Sequence, residues 1–243
     1  MIIEEITHKC TKCGSTNIRK NGLSPAGKQK FHCKACNTYS TLEPDHGYSD
    51  EFKETVLKAY DERSSMRGIE RTFAISRHTL ARWIKKKVSS LPALAQTLLP
   101  ARSDDILELD EVWSFVGKKS CKSWTWIALN RSTRQVVGYA VGSRETITCE
   151  QLHNSIPSEY KFLDTISDFW PAYPKVFESN HKSVGKEDGG TAHIERWNNT
   201  LRQHVGRFIR KTLSFSKCEE MHKTVLQLFI HRYNLSIKYR RQF

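Results

Sequence analysis

Two Cys-x-x-Cys pairs, Cys10/Cys13 and Cys33/Cys36, constrain the start of this chain more than any other feature. With nineteen residues between them they fit one tetrahedral zinc site, so a metal rather than a large apolar core must organise roughly the first forty residues. Each second cysteine precedes a residue that tolerates positive φ, Gly14 and Asn37, as a tight knuckle around a metal requires. A disulfide pair or an iron–sulfur centre would use similar spacings. Met1-Ile-Ile-Glu-Glu is no signal peptide, however, and Cys121, Cys149 and Cys218 stand alone, as buried small hydrophobes do. One structural Zn2+ is the expectation. Around the knuckles, short alternating runs (Ile18-Arg-Lys, Lys30-Phe-His, Thr38-Tyr-Ser-Thr) predict strands decorated by Lys9, Lys12, Arg19, Lys20, Lys28, Lys30 and Lys34. The module is a basic zinc ribbon over residues 1–43.

The chain of 243 residues carries 39 Lys and Arg against 26 Asp and Glu, a net charge of +13, and such an excess most often faces phosphate. No apolar run reaches membrane-spanning length, so a cytoplasmic protein acting on DNA, without a membrane partner, is expected.

After Pro44-Asp-His-Gly47, residues 44–90 follow a helical pattern. Ser49 can cap a helix carrying Phe52, Val56, Leu57 and Tyr60 on one side. Ser65 can cap a second helix, Met66 to Phe73, and Ser76 a third whose apolar stripe is Leu80, Trp83 and Ile84. This pattern predicts a helix-turn-helix. Arg77, His78 and Thr79 at the start of its third helix would reach base edges, while Arg82, Lys85 and Lys86 would meet phosphates. A Pro- and Ala-containing linker is expected over 91–104.

From 105 to 243 the composition shifts again. Ile106–Val116 predicts a first strand, Trp124–Asn130 and Gln135–Val141 a hairpin, and Lys161–Ser167 a fourth strand; a long helix is expected from about Thr191 to Arg210 and a last one within Cys218–Ile237. That order suggests a mixed α/β fold of ribonuclease-H-like type. It lets three carboxylates converge: Asp110 on the first strand, Asp168 at the end of the fourth, and Glu195 on the long helix. Acids within apolar strands are costly unless a cation sits between them. Hard oxygen ligands suit Mg2+ or Mn2+, and two such ions about 3.5–4 Å apart activate an attacking oxygen and stabilise a leaving one in phosphodiester chemistry. Glu108, Glu111 and Asp164 compete for the first two positions and Glu187 or Asp188 for the third, within a Gly-containing loop expected to be a mobile connector.

On the long helix, Ile194, Trp197, Leu201, Val205 and Phe208 form the apolar stripe, while Glu195, Asn199 and Arg202 share a neighbouring face. Glu195 would reach metal, Asn199 would position substrate or water, and Arg202 would bind the phosphate beside the reacting bond. Arg196, Arg207, Arg210 and Lys211 make a further basic face toward DNA.

The motifs Asp110-Glu-Val-Trp-Ser-Phe-Val with Trp124-Thr-Trp, Asp168-Phe-Trp-Pro-Ala-Tyr173, His181 with Gly185-Lys186, Ile194-Glu-Arg-Trp-Asn, Leu201-Arg and Arg210-Lys-Thr-Leu-Ser-Phe-Ser-Lys217 closely resemble the transposase of the insertion-sequence-1 family. The resemblance implies a DDE transposase that recognises the terminal inverted repeats of its element, liberates 3′ hydroxyls and joins them to target DNA. By the family pattern Asp110, Asp168 and Glu195 are the catalytic triad and Arg202 the basic position seven residues after the glutamate. A homo-multimer assembled on double-stranded DNA is expected, since two element ends must be paired. A DNA-binding regulator, zinc ribbon plus helix-turn-helix without catalysis, is the alternative, and it leaves the three carboxylates unexplained. A structure-selective nuclease would not need the N-terminal reader. Tyr239 with Arg240 and Arg241 is the only tempting C-terminal nucleophile of a tyrosine recombinase and is more simply a basic end.

Overall fold

The computed structural model describes residues 7–25, 27–42, 47–185, 187, 189–209 and 211–240. It divides into two compact units, Met1–Phe52 and Lys53–Phe243.

In the first unit, β1 (Ile18–Leu23), β2 (Gln29–Cys33) and β3 (Tyr39–Ser40) form an antiparallel sheet in that order. Most of β1 is exposed, and among the described residues of this unit the buried positions are the cysteines Cys10 and Cys33 with His32 beside them. So little apolar burial cannot hold such a sheet by itself, and the cysteine cluster takes the place of a core.

In the second unit, α1 (Asp50–Asp61, begun in the first unit), α2 (Met66–Phe73) and α3 (Arg77–Ser89) start where the sequence places caps. The hydroxyls of Ser49, Ser65 and Ser76 accept the N–H groups of Phe52, Gly68 and Thr79 at 3.1, 2.9 and 3.1 Å. Leu80, Trp83 and Ile84 are buried as the stripe predicts. These helices pack with the C-terminal helix α7 (Glu219–Arg240): Lys85 pairs with Glu220 at 2.7 Å, and Arg232 lies between Glu54 and Asp61. The segment expected to be a linker is packed too, with Thr97 and Leu98 buried, because Gln135 Nε2 donates to the Thr97 carbonyl and the Gln135 carbonyl oxygen Oε1 accepts from Leu99 N–H.

The second sheet joins β4 (Ile106–Phe115), β5 (Lys122–Asn130), β6 (Val136–Gly142), β7 (Asp164–Ser167) and β8 (His181–Ser183) in the order β6-β5-β4-β7-β8. The first three strands are antiparallel, and β7 and β8 run parallel to β4. Leu107, Leu109, Trp126, Ala128 and Val137 face a core shared with α4 (Thr146–Ser155) and α5 (Ala172–Phe177). The alternate residues of β4 therefore face α6 (Ala192–His204) on the other side. The chain is a mixed α/β protein with seven α-helices among the described residues, none long and apolar enough to cross a membrane.

Three elements differ from the sequence expectation. The fourth strand begins only at Asp164, because the chain keeps turning over 161–163 after the 3₁₀ turn Ser158–Tyr160, with Leu163 N–H donating to the Tyr160 carbonyl at 3.3 Å. The fifth strand, β8, has three residues, too few to leave a period-two pattern. The long helix stops at His204: Val205 leaves helical geometry at φ −113° and ψ 96°, and Gly206 opens a 3₁₀ turn instead, although Val205 and Phe208 stay buried as the stripe predicts.

Candidate active site and metal centre

The four cysteine sulfurs lie within 4.8 Å of one another and form no disulfide. Cys10 and Cys36 sulfurs are 3.7 Å apart, and those of Cys13 and Cys33 are 3.6 Å apart. A tetrahedron with Zn–S bonds of about 2.3 Å has S···S edges of about 3.8 Å, so the cluster fits one zinc ion. Gly14 at φ 72° and Asn37 at φ 55° make the knuckles. Lys12 N–H points at Cys10 Sγ at 3.4 Å, and the Thr38 hydroxyl and backbone N–H hold the Cys36 thiol down to about 6, both favouring thiolate.

Strand β4 sorts its three acids by face. Glu111, on the α4/α5 side, accepts hydrogen bonds from Tyr173 Oη at 2.8 Å and Arg144 Nε at 2.6 Å. The Arg144 guanidinium is in turn sandwiched by Trp170 and Trp124, 3.7 and 4.6 Å from the ring centroids. Glu108, fully buried on the α6 side, accepts Arg131 Nε at 2.7 Å and lies 2.7 Å from His193 Nδ1. It also accepts the backbone N–H groups of His193 and Ile194 at 3.0 and 2.9 Å. Thr191 makes no side-chain cap at the start of α6, and Glu108 does so from the strand. Both carboxylates are saturated by protein donors and have structural work. Asp164 is exposed at the opposite end of β7, across from Ile106.

Asp110 is differently placed. Its Oδ1 accepts Glu111 N–H at 2.8 Å and its Oδ2 accepts Asn198 Nδ2 at 2.6 Å. Burial, then the charge of Glu111, and further the charges of Asp168 and Glu195, push its carboxyl up to about 7. The last paired residues of β4 and β7 are Glu108 and Ile166; Asp110 lies two residues further along β4, and Asp168 follows directly after the end of β7 at Ser167. Two residues of β4 span about 6.8 Å, and the four to five residues of α6 between His193/Ile194 and Asn198 rise about 6–7.5 Å. Helix and strand thus run side by side from the Glu108 cap, which sets Asn198 beside Asp110. Asp168 is fixed by its Oδ1 accepting Trp170 N–H at 3.0 Å, and Glu195 is exposed. Among the described residues the cysteines are the only group of three or more such ligands that all lie within 4.8 Å of one another, so Asp110, Asp168 and Glu195 do not all come that close together.

Asn198 is the amide that meets Asp110, whereas Asn199 is exposed on the next face of the helix. Arg202 is half-buried. The loop before α6 is anchored at its far end: Arg131 also donates to the Gly190 carbonyl, and a Cβ on Gly190 would come within 2.7 Å of Val184 Cγ2. Glu187 is exposed; Lys186 and Asp188 lie outside the described residues.

Of the residues expected to face DNA, His78, Arg82, Lys86, Arg196 and Lys211 are exposed. Arg77 is exposed but pairs with Glu70 at 3.1 Å, Lys85 pairs with Glu220, and the Thr79 hydroxyl lies 3.0 Å from that of Ser76. Arg207 is half-buried instead, donating to Tyr60 Oη, Ser216 Oγ and Met66 Sδ, each at 3.4 Å. Arg210, together with Pro44-Asp-His46 and Arg241, lies outside the described residues.

A family model described as IS1 transposase matches residues 106–236, more than half of the chain. The insertion element iso-IS1n protein InsB of Shigella dysenteriae is 38% identical over 128 residues, covering 53% of this chain and 95% of that protein. The insertion element IS1 protein InsB of Shigella flexneri is 37% identical over 124 residues, 51% of this chain and 92% of its own length. The insertion element IS1 1 protein InsB of Escherichia coli strain K12 is 33% identical over 156 residues, 62% and 92% of the two chains.

Proposed function

The chain belongs to the IS1 transposase family and is a DNA transposase, and from that premise we propose that Asp110, Asp168 and Glu195 are its catalytic triad, acting on DNA with two Mg2+ or Mn2+ ions. The observation that carries the reading is the rise of the Asp110 carboxyl to about 7 under burial and the charges of Glu111, Asp168 and Glu195, an energetic cost that a divalent cation relieves. Such ions supply Lewis acidity to the attacking and leaving oxygens of an in-line displacement.

The chain's own residues do the rest. Asp110 must be ionised to ligate, and Asn198 holds its Oδ2 in one direction. The bond from Trp170 N–H orients Asp168, while exposed Glu195 is free to reach toward both. Arg202, seven residues along α6, meets the phosphate beside the reacting bond, and Asn199 contacts the strand flanking it. In this reading residues 105–243 are a ribonuclease-H-like catalytic domain. Residues 1–43 are a zinc ribbon, and 44–90 a helix-turn-helix whose Arg77, His78 and Thr79 read the terminal inverted repeats while Arg82, Lys85 and Lys86 hold phosphates. Two or more copies pair the element ends.

The test is a labelled duplex carrying the terminal repeat, incubated with a supercoiled target, Mg2+ or Mn2+ and the protein at low salt, beside Asp110→Ala and Glu195→Ala. Nicking at the repeat end and joined products, lost in both variants while repeat binding persists, are expected. Binding with neither nicking nor joining by the parent chain would overturn the catalytic assignment.

A further inference from the structure

Away from the carboxylates, the second unit holds a cleft of about 550 Å³ between the α1–α2 turn and the segment that follows α6. Arg63, Arg67, Arg71, Arg77, Arg207 and Lys217 line it. Its one carboxylate, Asp61, is taken by Arg232, so the cationic side chains face no equal number of acids. The pairing of Arg77 with Glu70 is exposed, and such a pair contributes little and exchanges readily for another anion. Arg67 and Arg71 are one helical turn apart and share a face of α2. Arg63 adopts φ 68°, a left-handed conformation that glycine or asparagine would take at lower cost, yet a long cationic side chain stands there.

We propose that this cleft grips the sugar–phosphate backbone of the DNA on which the carboxylates act. The inference rests on the catalytic reading above for the position of the reacting bond. His204 lines the cleft and Glu195 lies nine residues earlier on the same helix, about 14 Å along its axis. That span is on the order of four nucleotides of one strand. A single duplex therefore meets both ends of α6: the carboxylates near the N-terminal end take the reacting phosphodiester, and the arginines at the C-terminal end hold the backbone a short way along. Arg77, at the start of α3, is left to base reading; the contact made by Arg63, Arg67, Arg71, Arg207 and Lys217 is with phosphates, so it carries no base preference and serves any DNA sequence equally.

The test uses the full zinc-loaded chain and a fluorescent random-sequence duplex, with the dissociation constant measured by anisotropy across a range of salt concentrations. Arg67→Ala/Arg71→Ala removes two contacts, each contributing about 0.9 to the slope of log affinity against log salt. The slope should shrink by about 1.8, so that a fourfold rise in salt weakens the variant roughly tenfold less than the parent. Arg67→Lys/Arg71→Lys should retain the parent slope, and so should Lys161→Ala/Lys175→Ala, which removes two charges from outside the cleft. Thermal melting by circular dichroism should be unchanged in the alanine pair, since alanine suits exposed helix positions. A parent-like slope in the Arg→Ala pair, or an equal loss in the Lys161/Lys175 pair, would overturn the proposal. A reduced slope in a parent chain that nicks no DNA would keep the cleft and remove the catalytic reading; a parent-like slope in a chain that nicks would do the reverse.

Discussion

Replacing Asp110 with asparagine should make the chain more stable when no divalent ion is added. The carboxyl rises from 3.8 to about 7 because it is buried and because Glu111, and then Asp168 and Glu195, are negative. About three units at roughly 1.4 kcal/mol each set a ceiling near 4 kcal/mol on what the ionised form costs the fold. Partial exposure and screening bring the figure to about 2 kcal/mol. The substitution keeps the shape of the site. Asparagine Oδ1 can still accept Glu111 N–H, and its amide can face Asn198 once that side chain turns over. The turn pairs Asn198 Oδ1, without a partner in the parent, and puts Nδ2 in its former place, so the number of unmatched polar atoms at Asn198 stays the same. For a chain of this size about 2 kcal/mol raises the melting temperature by about 4–8 °C. The pH dependence follows from linkage. Between 3.8 and about 7 the folded parent holds a proton that the unfolded chain has released, so its stability falls as pH rises through that window and the penalty is complete above it. The advantage of Asp110→Asn should be greatest near about pH 8 and fall to about a third of that near pH 5. Differential scanning calorimetry with zinc retained and no Mg2+ or Mn2+ measures both. A variant less stable than the parent at the higher pH, or a difference that does not change with pH, would refute the reasoning.

Glu108→Gln removes the charge that caps α6 and pairs with Arg131, and should cost about 3 kcal/mol in urea denaturation, with DNA nicking reduced because Asn198 loses its register against Asp110. A cost under about 1 kcal/mol would mean the cap is dispensable. Asn234 acts as a one-residue strand on the free edge of β6, accepting Val136 N–H and donating to its carbonyl, both at 2.9 Å; Asn234→Ala should cost about 2–4 kcal/mol in the same assay. Cys13→Ser should lower bound zinc, measured by elemental analysis, from one per chain to well below it and broaden the amide spectrum of residues 7–42 while leaving 53–240 unchanged.

What the sequence made legible is what depends on neighbours a few residues away. The positive φ of Gly14 and Asn37, the three serine caps and the apolar stripe of α6 all follow from local chemistry. What escaped depends on docking. Asn198 and Asn199 are about 100° apart on a helix, and only the angle at which α6 meets β4 decides which of them sees Asp110. Glu108 and Glu111 resemble catalytic acids until their partners arrive, from a loop and helix in the case of Arg131 and His193, and from α5 and the other face in the case of Tyr173 and Arg144. Arg207 belongs to a charged run, yet the end of α6 at His204 turns it toward Tyr60 and Met66. No sequence pattern announces that turn beyond the glycine at 206.

The central claim, that Asp110, Asp168 and Glu195 together hold the catalytic ions, is tested most directly by counting Mn2+ bound to the DNA-loaded protein by electron paramagnetic resonance, for the parent and for Asp110→Asn, Asp168→Asn and Glu195→Gln, with zinc content measured in parallel. The account predicts two ions on the parent, weakened or lost in every single variant with zinc unaltered. Unchanged Mn2+ binding in any one of the three variants would contradict it.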